Sequence, residues 1–213
     1  MHSRTGAERR MIKKTDKPLL LVVSAPSGAG KTTLGAMLLK EFCNMKRSVS
    51  CTTREKRPGE VPGRDYYFMT LPEFANGLQR GKFLETALVH GHWYGTPCAP
   101  VLAALRKGID VLLVIDVQGA KMIRANIGKG GNKSLKAAFI DVFIVPPSGN
   151  ELKRRLVKRK QDSPEEIEIR LKNVAREMKS MREFQYVVVN DKLQQAFEQL
   201  RAIVVAEHCR NHL

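Results

Sequence analysis

Along this chain, runs in which every position is apolar alternate with stretches in which apolar residues return every three or four positions. Leu19-Leu-Leu-Val-Val-Ser24 is a run of the first kind, closed by a Gly/Pro/Ser loop, and predicts a strand buried on both faces. From Lys31 the rhythm changes: Leu34, Met37, Leu38 and Phe42 fall on one face of a helix. The same alternation returns after residue 97. A helix is expected from Ala99 to Lys107, stopped by Gly108, then a strand from Val111 to Ile115 and a helix from Gly119 to Asn126. A strand from Ala138 to Val145 ends at Pro146-Pro147, and a helix from Asn150 to Lys158 follows. Ser163-Pro164-Glu165-Glu166 carries a capping-box pair and a proline at the first helical position, so a second helix begins there and runs to about Met181. Tyr186 to Val189 is the last strand and Lys192 to Cys209 the closing helix. Strands alternating with helices predict an α/β fold, a parallel sheet core flanked by helices.

Residues 46 to 96 interrupt the rhythm. Short segments rich in Ser, Thr, Tyr and Phe (Ser48 to Thr53, Tyr66 to Met69, Phe83 to Val89, Trp93 to Gly95) are split by Pro and Gly, and read as small antiparallel strands. One helix, from about Pro72 to Gly81, lies among them. The expected organisation is a tail over residues 1–17, a core of 18–45 and 97–208, and an inserted subdomain over 46–96. Gly128 to Lys133 reads as a flexible loop with no assigned role.

Composition narrows the class. With 43% hydrophobic and 27% charged residues, the 213-residue chain can bury a core and is not a disordered polymer. Its longest apolar runs are far short of the roughly 20 residues that cross a bilayer. No apolar signal region follows the basic start, so a cytoplasmic protein with no membrane partner is expected. Cys43, Cys51, Cys98 and Cys209 are too widely spaced for CxxC pairs and are expected to be buried, reduced thiols.

The net charge of +16 is uneven: residues 1–17 contribute +4 and residues 121–160 contribute +9. Such clusters suit a polyanion, either nucleic acid or nucleotide phosphates. Nucleic acid is the weaker reading, since no zinc-finger, RRM or KH reading element accompanies the charge.

Ala25-Pro-Ser-Gly-Ala-Gly30-Lys31-Thr32, between the first strand and the first helix, is placed as a phosphate-binding loop must be. Its glycines let successive N–H groups turn inward as an anion nest at a helix N-terminus. Lys31 can reach the β and γ phosphates of a nucleoside triphosphate, and the Thr32 hydroxyl can ligate Mg²⁺. Ala25 stands where the strict pattern has Gly. Asp116, at the end of an apolar strand, reads as a second carboxylate-bearing element near the metal, although it could also cap the next helix.

Further motifs follow in order: Ser50-Cys-Thr-Thr-Arg54, Arg57-Pro-Gly-Glu60, Gly63-Arg-Asp65-Tyr66, Phe83-Leu-Glu85, Tyr94-Gly-Thr96, Asp116-Val-Gln-Gly119 and Val189-Asn190-Asp191. With the phosphate loop, they resemble guanylate kinases of the bacterial type over about residues 18–208. The resemblance implies a P-loop nucleoside-monophosphate-kinase-like fold with a small mixed-strand GMP-binding subdomain and a helical lid over about 150–175. It implies transfer of the ATP γ-phosphoryl group to GMP or dGMP with Mg²⁺, in purine nucleotide metabolism.

Carried across, the resemblance gives Ala25, Pro26, Ser27, Gly28, Ala29, Gly30, Lys31, Thr32, Thr33 and Asn190 to ATP, and Thr32 and Asp116 to the metal. It gives Arg54, Arg57, Tyr66 and Tyr94 to the GMP phosphate, and Ser50, Glu85 and Thr96 to guanine, with Asp116 also on the GMP side. Guanine presents two adjacent N–H donors that an ionised Glu85 can accept, and hydroxyls of Ser50 and Thr96 can donate to O6; adenine would leave the carboxylate unpaired. Lys31, Arg155, Arg159 and Arg170 are the implied catalytic cations, with no carboxylate base, because the acceptor phosphate is already an anion. Lys158 and Lys160 flank the lid arginine where many relatives have Gly, and Val114 stands where an acid is common. Two other readings stay open: a non-catalytic interaction module of the same shape, and a P-loop kinase for a ribose phosphate. A homo-oligomer is compatible with the sequence.

Overall fold

The computed structural model describes residues 17–89, 91–128, 132–158 and 164–210. In chain order the elements are β1 (Leu20–Ser24), α1 (Lys31–Glu41), β2 (Met45–Arg47), β3 (Cys51–Thr52), β4 (Tyr67–Phe68), α2 (Leu71–Gln79), β5 (Phe83–Val89), β6 (His92–Pro97) and α3 (Cys98–Arg106). They continue as β7 (Asp110–Ile115), α4 (Val117–Gly128), α5 (Lys133–Ala138), β8 (Phe139–Val145), α6 (Gly149–Lys158), α7 (Pro164–Lys179), β9 (Tyr186–Val189) and α8 (Leu193–Cys209).

Among the described residues, five strands form a parallel sheet in the order β2-β7-β1-β8-β9. All five residues of β1 are buried because both faces are covered. Leu21 and Val23 pack with Leu34 and Leu38 of α1 and Leu200 and Val204 of α8. Leu20 and Val22 face Val101 and Leu105 of α3 and Ala120 and Ile123 of α4. The period of two along β1 therefore feeds two apolar layers, and the helices that cover them make a three-layer core.

The second sheet is β4-β3-β6-β5. Its strands are mixed, as the resemblance implied, where the local pattern alone read antiparallel strands: β3 runs parallel to β4, and antiparallel to β6. A chain that leaves β3 and makes a long loop before β4 can return in the same direction, and the Tyr67 N–H then donates to the Ser50 carbonyl at 2.9 Å. The helix of this segment starts on a capping box between Thr70 and Glu73.

Two elements escape the sequence pattern. β2 adds a three-residue edge strand to the core, and α5 fills the stretch between the loop read to Lys133 and the strand read from Ala138. The Cys residues also differ from expectation. All four are free thiols, but only Cys51 is buried: Cys98 is half-buried, and Cys43, just past the end of α1, and Cys209, the last residue of α8, are exposed. No described helix is long and apolar enough to cross a membrane.

Candidate active site

Because β1 is flanked by β7 on one side and β8 on the other, the sheet order reverses at β1, the place where open α/β sheets bind ligands. Ala25 to Gly30, Asp116, Pro146 and Asn190 follow the carboxyl ends of β1, β7, β8 and β9, so four connections converge on one edge. The loop after β1 takes the shape its glycines allow: φ is +89° at Gly28 and +97° at Gly30. Ala25 fills the departing position at little cost, because its methyl group joins the core layer under α1, and its carbonyl accepts the Lys31 ammonium at 3.5 Å.

The loop is locked from the far strand. Asn190, buried beyond β9, donates Nδ2 to the Ala29 carbonyl at 2.8 Å, and its own N–H donates to the Val145 carbonyl at 2.8 Å. Arg155 on α6 donates to the carbonyls of Asn190 (3.0 Å) and Asp191 (3.3 Å), and is aimed by Glu151 at 2.8 Å. The guanidinium groups of Arg154 and Arg155 pull the Glu151 carboxyl down to about 2. Gly28, Gly30, Thr33, Arg155, Asn190 and Asp191 line a cavity of about 310 Å³.

A second cavity of about 270 Å³ opens between the two sheets. Ser50, Tyr66, Glu85, Tyr94 and Asp116 line it, with Arg47 at the end of β2. Thr96 and Arg54 stand behind this wall. The buried Thr96 hydroxyl donates to Glu85 Oε1 at 2.6 Å. Desolvation pushes the Glu85 carboxyl up to about 7, against the Thr96 hydrogen bond and with the added charge of Asp116. Thr96 thus spends its proton on the carboxylate in this structure, rather than facing the cavity as a second donor beside Ser50.

Arg54 is held by the Glu60 carboxylate at 2.7 Å and by Tyr94, with its guanidinium 5.5 Å from the Tyr66 ring centre. Tyr66 and Tyr94 meet edge to face at 5.9 Å and both line the cavity, with the Tyr94 hydroxyl paired with Arg54. Arg57 is exposed and contributes its backbone N–H to Glu60 at 2.8 Å. The structure therefore brings together Ser50, Arg54, Tyr66, Glu85, Tyr94, Thr96 and Asp116, but not the Arg57 guanidinium. Arg159 and the Arg170 side chain lie outside the described residues.

Asp116 lines the second cavity and is also within electrostatic reach of Glu177, beside the loop after β1. Its Oδ1 accepts the Gly119 N–H at 2.8 Å, so it does cap α4, and its charge is felt both by Glu85 and by Glu177. Glu177, on α7, lies beside the Ser27 backbone amide and within electrostatic reach of Lys31. Burial raises its carboxyl above the usual range, Lys31 opposes this and Asp116 adds to it. Three participants had no assigned role in the sequence: Arg47, Glu177 and Gly119, whose Cα lies against the Glu85 carboxylate. Only Gly119 left a local signal, a glycine in the first turn of a helix just after a strand-end Asp.

Known proteins are similar to this chain in sequence and fold. A family model described as guanylate kinase matches residues 17–207. A guanylate kinase of Dechloromonas aromatica (strain RCB) is 49% identical over 187 residues, which cover 88% of this chain and 88% of that protein. One of Rhodopseudomonas palustris (strain HaA2) is 46% identical over 208 residues, covering 98% of this chain and 88% of the relative. The crystal structure of guanylate kinase from Anaplasma phagocytophilum superposes with a TM-score of 0.71 at 32% identity, over 93% of this chain and 90% of that one. With a family match over nearly its whole length and relatives this similar, the chain belongs to the guanylate kinase family.

Proposed function

We propose that this protein transfers the γ-phosphoryl group of ATP to GMP, and to dGMP, giving ADP and GDP or dGDP. The observation that carries the acceptor is the dry carboxylate of Glu85, oriented by Thr96 in a cavity that also holds Ser50 and two tyrosines. A carboxylate held out of water gains most from a ligand that supplies two adjacent N–H donors, which guanine does and adenine does not. The tyrosines and Arg54 at the other wall suit the monophosphate. Arg57 would join them once a phosphate gives it something to pair with. In this reading the second sheet is the GMP-binding subdomain, α6 and α7 belong to the lid, and Arg159 and Arg170 act from it.

The donor triphosphate belongs in the loop after β1. There the N–H groups of residues 27–31 and the Lys31 ammonium meet its oxygens, and Asn190 keeps the loop in shape. The residues present fit a hard divalent cation: Thr32 offers a hydroxyl, Asp116 a carboxylate, and a buried Glu177 oxygen has no hydrogen-bond partner. Mg²⁺ bound with ATP would neutralise charge that builds on the transferring phosphoryl group. The chain's own task is positioning: Lys31 and the lid arginines stabilise the equatorial oxygens, Arg54 and the tyrosines aim the acceptor phosphate, and closure keeps water away. A cytoplasmic location follows for an enzyme acting on nucleotide pools.

Coupled ADP release with ATP and Mg²⁺ tests the reading against GMP, dGMP, AMP, ribose 5-phosphate and no acceptor. Turnover is expected with the guanine nucleotides alone. Glu85→Gln should lower the GMP-over-AMP preference by two or more orders of magnitude, of the order of 10² or greater, while leaving ATP binding in place. Unchanged discrimination would remove Glu85 from base reading, and turnover with the sugar phosphate would favour the ribose phosphate kinase.

A further inference from the structure

The Glu177 carboxylate sits where a mainly structural acid has no reason to be. It is carried on α7, yet it lies beside the backbone amide of Ser27, which the phosphate loop needs for its ligand, and within electrostatic reach of Lys31 and Asp116. Its Oε2 is shielded from solvent and has no hydrogen-bond partner. Lys31 already opposes the charge of Asp116 there, but Oε2 stays without a partner, and a carboxylate oxygen held out of water is costly until a donor or a second cation meets it.

The triphosphate alone does not resolve this. It would take the Ser27 amide and share Lys31, leaving Glu177 beside several new negative charges. A hard divalent ion would resolve it, because Mg²⁺ is typically held by one or two carboxylates together with substrate phosphates, and keeps several waters that donate to outer carboxylates. Val114, two residues before Asp116, is apolar and packs close to Gly35 of α1, so β7 itself brings no second acid to this point.

We infer that Glu177 is the second carboxylate of the metal–triphosphate site, a metal-positioning residue delivered by α7 that accepts hydrogen bonds from the hydration shell of the divalent ion. The inference rests on the proposed ATP site. It also links the metal to the lid: the same helix that carries Arg170 would be drawn toward the loop by the ion.

The test uses the full chain with Mn²⁺ as the paramagnetic stand-in and a non-hydrolysable ATP analogue. Electron paramagnetic resonance reads free Mn²⁺ during titration of the protein–analogue complex, and calorimetry with the analogue in EDTA reads nucleotide binding without metal. Glu177→Gln should weaken Mn²⁺ binding in the ternary complex by about tenfold, while metal-free analogue affinity is unchanged or improved. Glu177→Asp should restore part of the loss. If Glu177→Gln binds Mn²⁺ as tightly as the parent, or if it loses metal-free analogue affinity to the same degree, the inference is overturned. If circular dichroism shows Glu177→Gln unfolded, Glu177→Asp decides alone, and parental Mn²⁺ affinity in that variant overturns the inference, whereas a several-fold loss supports it. Parent protein that binds no nucleotide at all would instead refute the ATP-site reading.

Discussion

Gly119→Ala separates acceptor recognition from everything else in the molecule. A Cβ built on Gly119 meets Glu85 Oε2 at 2.7 Å and Ile115 Cδ1 at 3.2 Å, whereas ordinary contact begins at 3.4 Å. The carboxylate must then retreat by about 0.7 Å to regain a normal separation. It has little room to do so, because its other oxygen is tied to the Thr96 hydroxyl at 2.6 Å in a buried pair. Two N–H···O bonds from guanine, which prefer about 2.7–3.2 Å, would both be misset. Hydrogen bonds to a charged group contribute about 1.5–3 kcal/mol each, so weakening the pair should cost about 2 kcal/mol, or roughly 30-fold in the GMP KM. Ala is at most about 1 kcal/mol better than Gly in a helix interior, and in this first turn that gain is outweighed by crowding the buried Glu85 carboxylate and Ile115, an overpacking that costs about 1–3 kcal/mol. Steady-state kinetics at saturating ATP should thus show a raised GMP KM with a modestly lower melting temperature, and calorimetry should show unchanged ATP affinity. A GMP KM within twofold of the parent would mean that the Glu85 carboxylate does not meet the base. Equal losses for ATP and GMP would mean that the substitution acts through the fold.

The pH dependence of GMP binding has a definite sign. With the Glu85 carboxyl at about 7 in the ligand-free protein and the ionised form reading guanine, affinity should rise with pH up to about 7 and level off above it. Calorimetry with guanosine excludes the phosphate's own ionisation, and a flat guanosine profile would refute the assignment. The same shift, from an ordinary 4.5 upward, favours the protonated carboxyl in the fold. The Glu85 contribution to ligand-free stability should therefore decline as pH climbs from about 4.5 to about 7, and the decline should vanish in Glu85→Gln when melting temperatures are compared. Asn190→Ala removes the donor to the buried Ala29 carbonyl and should lower stability by about 1–3 kcal/mol while weakening ATP more than GMP binding. Equal weakening of the two ligands would show that Asn190 supports the core generally rather than the loop.

What the sequence made legible follows the length scale of each signal. β1 and its loop are visible because the apolar run and the Gly-Lys-Thr turn are contiguous, and α7 is visible from Pro164 at its first position. β2 and α5 are not, because three residues with only Met45 buried, or six residues of mixed character, contain less than one full period of any pattern. The same limit explains why the local pattern misses the parallel pair in the second sheet: strands of two residues carry no direction of their own, so the β3–β4 loop decides it.

Site chemistry divides along the same line. The acids at positions 85, 116 and 177 are identical in kind on the page of letters, and their roles come from surroundings assembled by four different elements. Glu85 is kept dry by the second sheet and by the first turn of α4, so it responds to donors on a base. Asp116 is tied by one oxygen to the helix it begins, lines the cavity that holds Glu85, and is close enough to Glu177 for their charges to oppose each other. Glu177 comes from a helix 61 residues after Asp116 and meets the phosphate loop only when α7 packs over it. No spacing rule along the chain encodes that meeting. It exists because the sheet ends where β1 changes neighbours, and any acid brought to that point must be balanced by a cation of the chain, a donor on a substrate, or a metal ion that a substrate brings.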